Sequence, residues 1–174
     1  MGVRVRLVSE DDAATLAELL RTNRSFMAPW SPAREDAFFT EEHQRQELAQ
    51  ALSRHRDGTH LPCVILADER IVGGITVSDI VRGAFQNGHL GYWVGQAHNG
   101  RGVATAAVSA VVRLAFDKLS LHRLQAGTLV HNVGSQRVLV RNGFSAIGVA
   151  PAYLRIAGRW QDHLLHQRLN ERLD

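Results

Sequence analysis

A chain of 174 residues with 45% apolar and 21% charged side chains has the size and composition of one globular domain, 1–174, with a core of its own. Its net charge of +3 is spread over scattered arginines, and of 20 basic residues only Lys118 is lysine, which argues against a phosphate-tracking stripe and a direct nucleic-acid partner. No run approaches the roughly 18 apolar residues of a membrane span, and a single cysteine, Cys63 in LPCVILA, excludes an internal disulfide or a cysteine-built zinc site and reads as a buried, inert thiol.

The opening MGVRVRLVSEDD lacks the apolar core of a signal peptide, so the expected location is cytoplasmic. Its segment VRVRLV (3–8) alternates as a strand does. Ser9-Glu10-Asp11-Asp12 is an S-x-x-D capping signal ahead of a helix in AATLAELLRT. SFMAPWSP (25–32) reads as an aromatic loop broken by prolines, and Thr40 caps a polar helix that runs to about His55. PCVILAD, RIVGGITVSDI and GHLGYWVG then predict three consecutive strands, with Asp68-Glu69-Arg70 and the Asn87-Gly88 pair as the turns between them.

Residues 103–119 carry Val103, Ala107, Ala110, Val111, Leu114 and Ala115 at helical spacing. HRLQAGTLV (122–130) is a further strand, and 134–142 a short helix that Gly143 ends in a left-handed cap. Strands around FSAIGVA and DHLLHQRL complete one mixed α/β domain. Asp162 reads as part of a turn. His163 and His166, three apart on a strand, point to opposite faces, and no other histidine shows a ligand pattern, so no metal is expected.

Between the third of the consecutive strands and the helix from 103 lies VGQAHNGRGVATAA (94–107). A helix start presents amides without partners and a partial positive charge, and glycines let a bulky anion reach them. Arg101 adds a cation, while Ala104, Thr105, Ala106 and Ala107 keep the first turn uncluttered. A Walker loop would need Gly-Lys-Ser/Thr, and a dinucleotide fingerprint would need a third glycine where Thr105 stands. Two glycines alone also make a tight turn.

In this stretch the chain resembles the GNAT superfamily of acetyltransferases, whose Gln/Arg-x-x-Gly-x-Gly/Ala signature is matched by Asn99-Gly100-Arg101-Gly102-Val103-Ala104, with Asn in the first position. NVGSQRVLVRNGF (132–144), GYWV (91–94), GRWQDHLLHQRL (158–169) and the Asn23…Trp30-Ser-Pro stretch resemble the RimJ/RimL branch, the ribosomal-protein N-terminal alanine acetyltransferases. The resemblance implies an α/β (α+β type) fold: a mixed, mostly antiparallel sheet of about seven strands with flanking helices, splayed between strands four and five. It implies an N-acetyltransferase that moves acetyl from acetyl-CoA directly to a primary amine, without a metal.

By the same resemblance the backbone from Gly100 through Arg101, Gly102, Val103 and Ala104 to Thr105 binds the pyrophosphate, with Val94, Asn132 and Ser135 also at the cofactor. The Val94 amide would stabilise the developing oxyanion and Ser135 would protonate the leaving thiolate, since Leu139 stands where other members carry a tyrosine. Asn132 and Ser135 equally suit capping of the following helix. His89 is the candidate base, near where members carry a glutamate on the fourth strand; the alternative is a solvated histidine beside the Asn-Gly turn, with water relaying the protons. Phe26, Trp30 and Tyr92 are candidate substrate contacts, or core; the prolines and serines around the first two suit a lid.

An α-amine with a pKa near 7.8 is neutral in roughly one molecule in seven at pH 7, against about four in ten thousand for lysine, a gap of roughly 3.5 kcal/mol. A site with no strong base therefore suits a protein N-terminus. A small amine such as an amino-antibiotic, or an acetyl-CoA sensor without turnover, are the rival readings. The expected partner is a protein N-terminus, that of a ribosomal protein included, or a small amine, with no membrane, and the chain itself is expected to be a monomer or homodimer.

Overall fold

A computed structural model describes residues 2–173. Seven strands form one sheet in the order β1-β2-β3-β4-β5-β7-β6. They are β1 (Val3–Leu7), β2 (Leu61–Ala67), β3 (Arg70–Val81), β4 (Asn87–Val94), β5 (Arg123–Leu129), β6 (Ser145–Ile156) and β7 (Arg159–Leu169). Every neighbouring pair is antiparallel except β4 and β5, which run parallel and pair only from Asn87–His89 to Arg123–Gln125. Beyond His89 the two strands part, as the splay expected of the fold requires.

Helices α1 (Ala13–Thr22) and α3 (Glu41–Arg56) cover one face, through Ala13, Leu16 and Leu48 against Val64 and Trp93. Helix α4 (Val103–Arg113), continued by a π-helical turn at Leu114–Lys118, packs on the other with α5 (Val133–Arg141). There Val103, Ala107, Val108 and Val111 meet Ile75, Val77, Leu90 and Leu124 in the main core. Cys63 lies inside that core, and burial pushes its thiol up to about 11, so it stays protonated and inert. No helix among the described residues is long and apolar enough to cross a membrane.

The Ser9 capping signal forms as read: Asp12 accepts the Ser9 amide at 2.8 Å and both Arg6 nitrogens at 2.7 and 2.8 Å. The Arg6 guanidinium holds this carboxyl below the usual carboxylate range. Thr40 caps α3 by accepting the His43 amide, and Gly143 (φ 76°) ends α5 in the left-handed region, with the Phe144 amide returning to the Leu139 carbonyl.

Three expectations need correction. Of the stretch 25–32 expected as a loop, all but Ser31 and Pro32 lies in helix α2 (Arg24–Met27) and a following 3₁₀ turn, Ala28–Trp30, whose first turn accommodates Pro29 because no amide is needed there. Asp162 belongs to β7, not to a turn, and its carboxylate accepts the Ala152 amide at 2.8 Å, holding the irregular stretch of β6 around Pro151.

The Asn87-Gly88 pair begins β4, and the turn lies before it, with Gly83 and Gln86 at positive φ. Gly88 is glycine for space: a Cβ there would sit 2.5 Å from Val77 Cγ1 and 3.3 Å from Leu121 Cδ1. Gly88→Ala is expected to cost roughly 1–3 kcal/mol by overpacking against a stiff β-branched neighbour. Thermal unfolding should show the midpoint falling by about 2–4 °C for each of those kcal/mol.

Candidate active site

Where β4 leaves β5, its backbone becomes available. The Gly95 amide donates to the Val72 carbonyl, so by antiparallel alternation the neighbouring Val94 amide turns from β3 toward the gap. A 3₁₀ turn, Gln96–His98, and Asn99 follow, the Asn99 Nδ2 lying 3.5 Å from the Val94 carbonyl. Gly100 and Gly102 then take φ of 73° and 78°, values that β-carbon crowding disfavours in other residues, and a Cβ at either would meet nothing within 4 Å.

The left-handed Gly102 is the N-cap of α4 and no side chain caps this end. The first bond back into the helix is from the Ala106 amide to the Gly102 carbonyl, which leaves the preceding amides facing outward. Gly100, Gly102, Val103, Ala104 and Thr105 all line a cavity of about 580 Å³ between β4 and β5. Arg101 is exposed on the outer side of the turn, outside that lining.

Helix α5 forms the opposite wall. The Asn132 carbonyl oxygen Oδ1 accepts the Ser135 amide at 3.1 Å and so caps the helix, which leaves the Ser135 hydroxyl out of the cap. That hydroxyl lies 2.8 Å from the Tyr92 hydroxyl, which also donates to the Ser135 carbonyl at 3.2 Å. Burial pushes Tyr92 up to about 12 while its bond with Ser135 pulls the other way, so the phenol keeps its proton at neutral pH. Tyr92, expected at the substrate, lines the cavity, and its hydroxyl pairs with that of Ser135 on α5. Leu139 is fully buried in the core.

Across the sheet, Phe26, Met27, Trp30 and Ser31 line the same cavity. The Ser31 carbonyl accepts the Ala157 amide at 2.9 Å, joining this wall to the β6–β7 turn, and Trp30 stacks beside His131 at 5.6 Å. The buried Asn23 fixes the wall to the cofactor-side loop, accepting the Gln96 amide at 2.7 Å while donating to the Leu19 carbonyl at 2.8 Å. His89 lies outside the lining, where β4 and β5 still pair, with Nδ1 4.0 Å from an Asp79 carboxylate oxygen.

The structure brings Val94, Asn132, Ser135, Tyr92, Phe26 and Trp30 together with the glycine turn, and leaves His89 and Arg101 apart. It also adds Arg137 and Arg141, exposed and four apart on α5, and the buried Thr128 and His163, none of which sequence reasoning selected. The arginine pair was legible as one helix face; the other two become neighbours only through strand order.

The cavity thus brings together the uncapped start of α4, the Tyr92–Ser135 hydroxyl pair and the aromatic residues Phe26 and Trp30. A family model described as an acetyltransferase (GNAT) domain matches residues 3–145. The chain is 36% identical over 170 residues to "Probable N-acetyltransferase YjcK" of Bacillus subtilis (strain 168), covering 97% of this chain and 94% of that one. It is 35% identical over 163 residues to the ribosomal protein uS5-alanine N-acetyltransferase of Escherichia coli (strain K12), covering 92% and 84%. A solved structure of Mycobacterium smegmatis RimJ in complex with CoA-disulfide superposes with a TM-score of 0.94 at 30% identity, covering 98% of this chain and 83% of that one.

Proposed function

The chain belongs to the GNAT acetyltransferase family, and from that premise we propose that it carries the acetyl group of acetyl-CoA to the α-amino group of a protein N-terminus, a ribosomal protein among its substrates, in the cytoplasm. The observation that carries this reading is the uncapped start of α4 behind two left-handed glycines with open space beside them. A pyrophosphate accepts hydrogen bonds from every amide there, and no side chain has to move. Arg137 and Arg141 add positive charge at the same mouth. When bound, the thioester supplies an activated acyl group and a thiolate leaving group.

The protein's own residues divide the remaining work. The Val94 amide, turned into the gap, donates to the carbonyl oxygen as negative charge develops there, an interaction worth roughly 3 kcal/mol in a site closed to water. The Ser135–Tyr92 pair relays a proton to the departing sulfur: the serine hydroxyl gives its hydrogen to the thiolate, and the paired hydroxyls recover one from the attacking nitrogen as it becomes an amide. Phe26 and Trp30 form the wall against which the acceptor terminus lies.

The lining carries no carboxylate among the described residues. That favours an amine already neutral in part at pH 7 over a lysine, in line with the activity named for the Escherichia coli relative at 35% identity. Incubation with acetyl-CoA and a peptide bearing an N-terminal Ala should give a +42 Da product that fragmentation places on the α-amine. Turnover only with small amines, or CoA binding with no turnover on any amine, would contradict this reading.

A further inference from the structure

An amine arriving at this cavity is mostly protonated at neutral pH and cannot attack until a group takes its proton. Besides Arg137 and Arg141, the titratable side chains in the lining are Tyr92, His98 and His163. Tyr92 is committed to Ser135, and His98 sits in the turn that leads to the glycines, at the anion-binding end. His89 lies outside the cavity.

The register fixes where His163 points. It opposes Leu129 on β5, whereas Ala126, His166's partner, and Leu124 belong to the core beneath α4. His163 therefore projects on the face away from α4, the face of Phe26 and Trp30, while Ser135 approaches from the α4 side. The residue is only 3% exposed, yet it lines the cavity. Its Nδ1 lies 2.9 Å from the Gln161 carbonyl, an acceptor, so Nδ1 bears the hydrogen and the neutral ring presents a lone pair at Nε2. Around the ring, β5 contributes Gly127 and Leu129 and β6 contributes Tyr153, whose ring centroid is 5.6 Å away; among the described residues Tyr153 is the titratable group in ring contact with it.

We propose that His163 is the catalytic base, its Nε2 taking the proton from the acceptor's ammonium on the side of the gap opposite Ser135. This rests on the transferase reading above and adds the residue that activates the amine. The freed nitrogen forms the C–N bond as the C–S bond breaks. The second proton it sheds ends on the thiolate through the Ser135–Tyr92 pair, and the proton on His163 returns to water. Ammonium and thioester thus become amide, thiol and one released proton. A single imidazole, in a lining that holds no carboxylate among the described residues, matches an α-amine better than a lysine.

The test is His163→Asn, whose amide nitrogen preserves the bond to the Gln161 carbonyl but offers no titrating atom at the Nε2 position. With a peptide that wild type acetylates, kcat at pH 7 should fall roughly 10²- to 10⁴-fold, as for loss of a general base, while CoA affinity stays within about twofold. The variant's log kcat/KM should rise with unit slope up to the pKa of the free amine, a profile that a merely structural loss would not produce. A wild-type rate and profile in the variant would overturn the assignment. Should the variant not fold, ¹⁵N-histidine spectra of wild type decide: an Nδ1–H, Nε2 lone-pair tautomer for His163 supports it, and an Nε2–H tautomer overturns it. Failure of wild type itself to acetylate any amine is a different outcome, and contradicts the transferase reading instead.

Discussion

Gly102→Glu is expected to weaken CoA binding by at least about a hundredfold, read by calorimetry, while the far-ultraviolet spectrum stays that of the wild type. Two effects combine. The left-handed φ of 78° costs a side-chain-bearing residue roughly 1–2 kcal/mol. The new carboxylate then stands in the space where a diphosphate must approach the α4 amides, and like charges a few ångströms apart at a partly wet surface repel by a few kcal/mol. Because a Cβ at 102 meets no protein atom within 4 Å, the fold itself has room for the change. Gly102→Asn separates the two effects, since Asn tolerates the left-handed region and carries no charge; it should retain most of the affinity. Equal loss in both variants would assign the effect to the turn rather than to the anion.

The second large effect is expected at the hydroxyl pair. Ser135→Ala should lower kcat roughly a hundredfold, the lower end for loss of a proton donor, with KM for acetyl-CoA changed by less than about twofold. Stability should barely respond. The cap of α5 is made by the Asn132 side chain to the Ser135 amide, which alanine keeps, and Tyr92 still donates to the residue-135 carbonyl. Tyr92→Phe should lower kcat too, and the double variant should be little slower than Ser135→Ala alone, because the two hydroxyls pass one proton and their losses do not add. Steady-state kinetics of the three variants with one peptide gives the coupling. Additive losses would mean that the hydroxyls act separately.

How much of this could be read from residue order varies with the range of the interaction concerned. The glycine turn, the caps at Ser9, Thr40 and Asn132, and the left-handed Gly143 are local, and chain chemistry over four or five residues specifies them. The pair Asn87-Gly88 misled because its turn propensity is real but outweighed: Gly88 is needed where Val77 and Leu121 press on β4, a constraint from residues 11 and 33 positions away. Trp30 and Phe26 read in sequence as substrate contacts on a lid, or as core, and not as part of a helical turn, since a proline in a short aromatic stretch signals a loop as readily as a helix start. The bond between Tyr92 and Ser135 spans 43 residues, and the place of His163 depends on β7 inserting between β5 and β6. Neither is visible until strand order is known. Arg101 shows the converse: its charge marked the motif, but the turn that brings the backbone to the cavity puts that side chain outside.

The central claim is that bare amides at the start of α4 hold the diphosphate of CoA. Titration of ¹⁵N-labelled protein with CoA, followed residue by residue in amide spectra, addresses it without any turnover. The amides from Gly102 to Thr105 should show the largest changes, moving downfield as they gain charged acceptors, and should saturate together. Saturable binding that leaves those four amides unmoved would contradict the account.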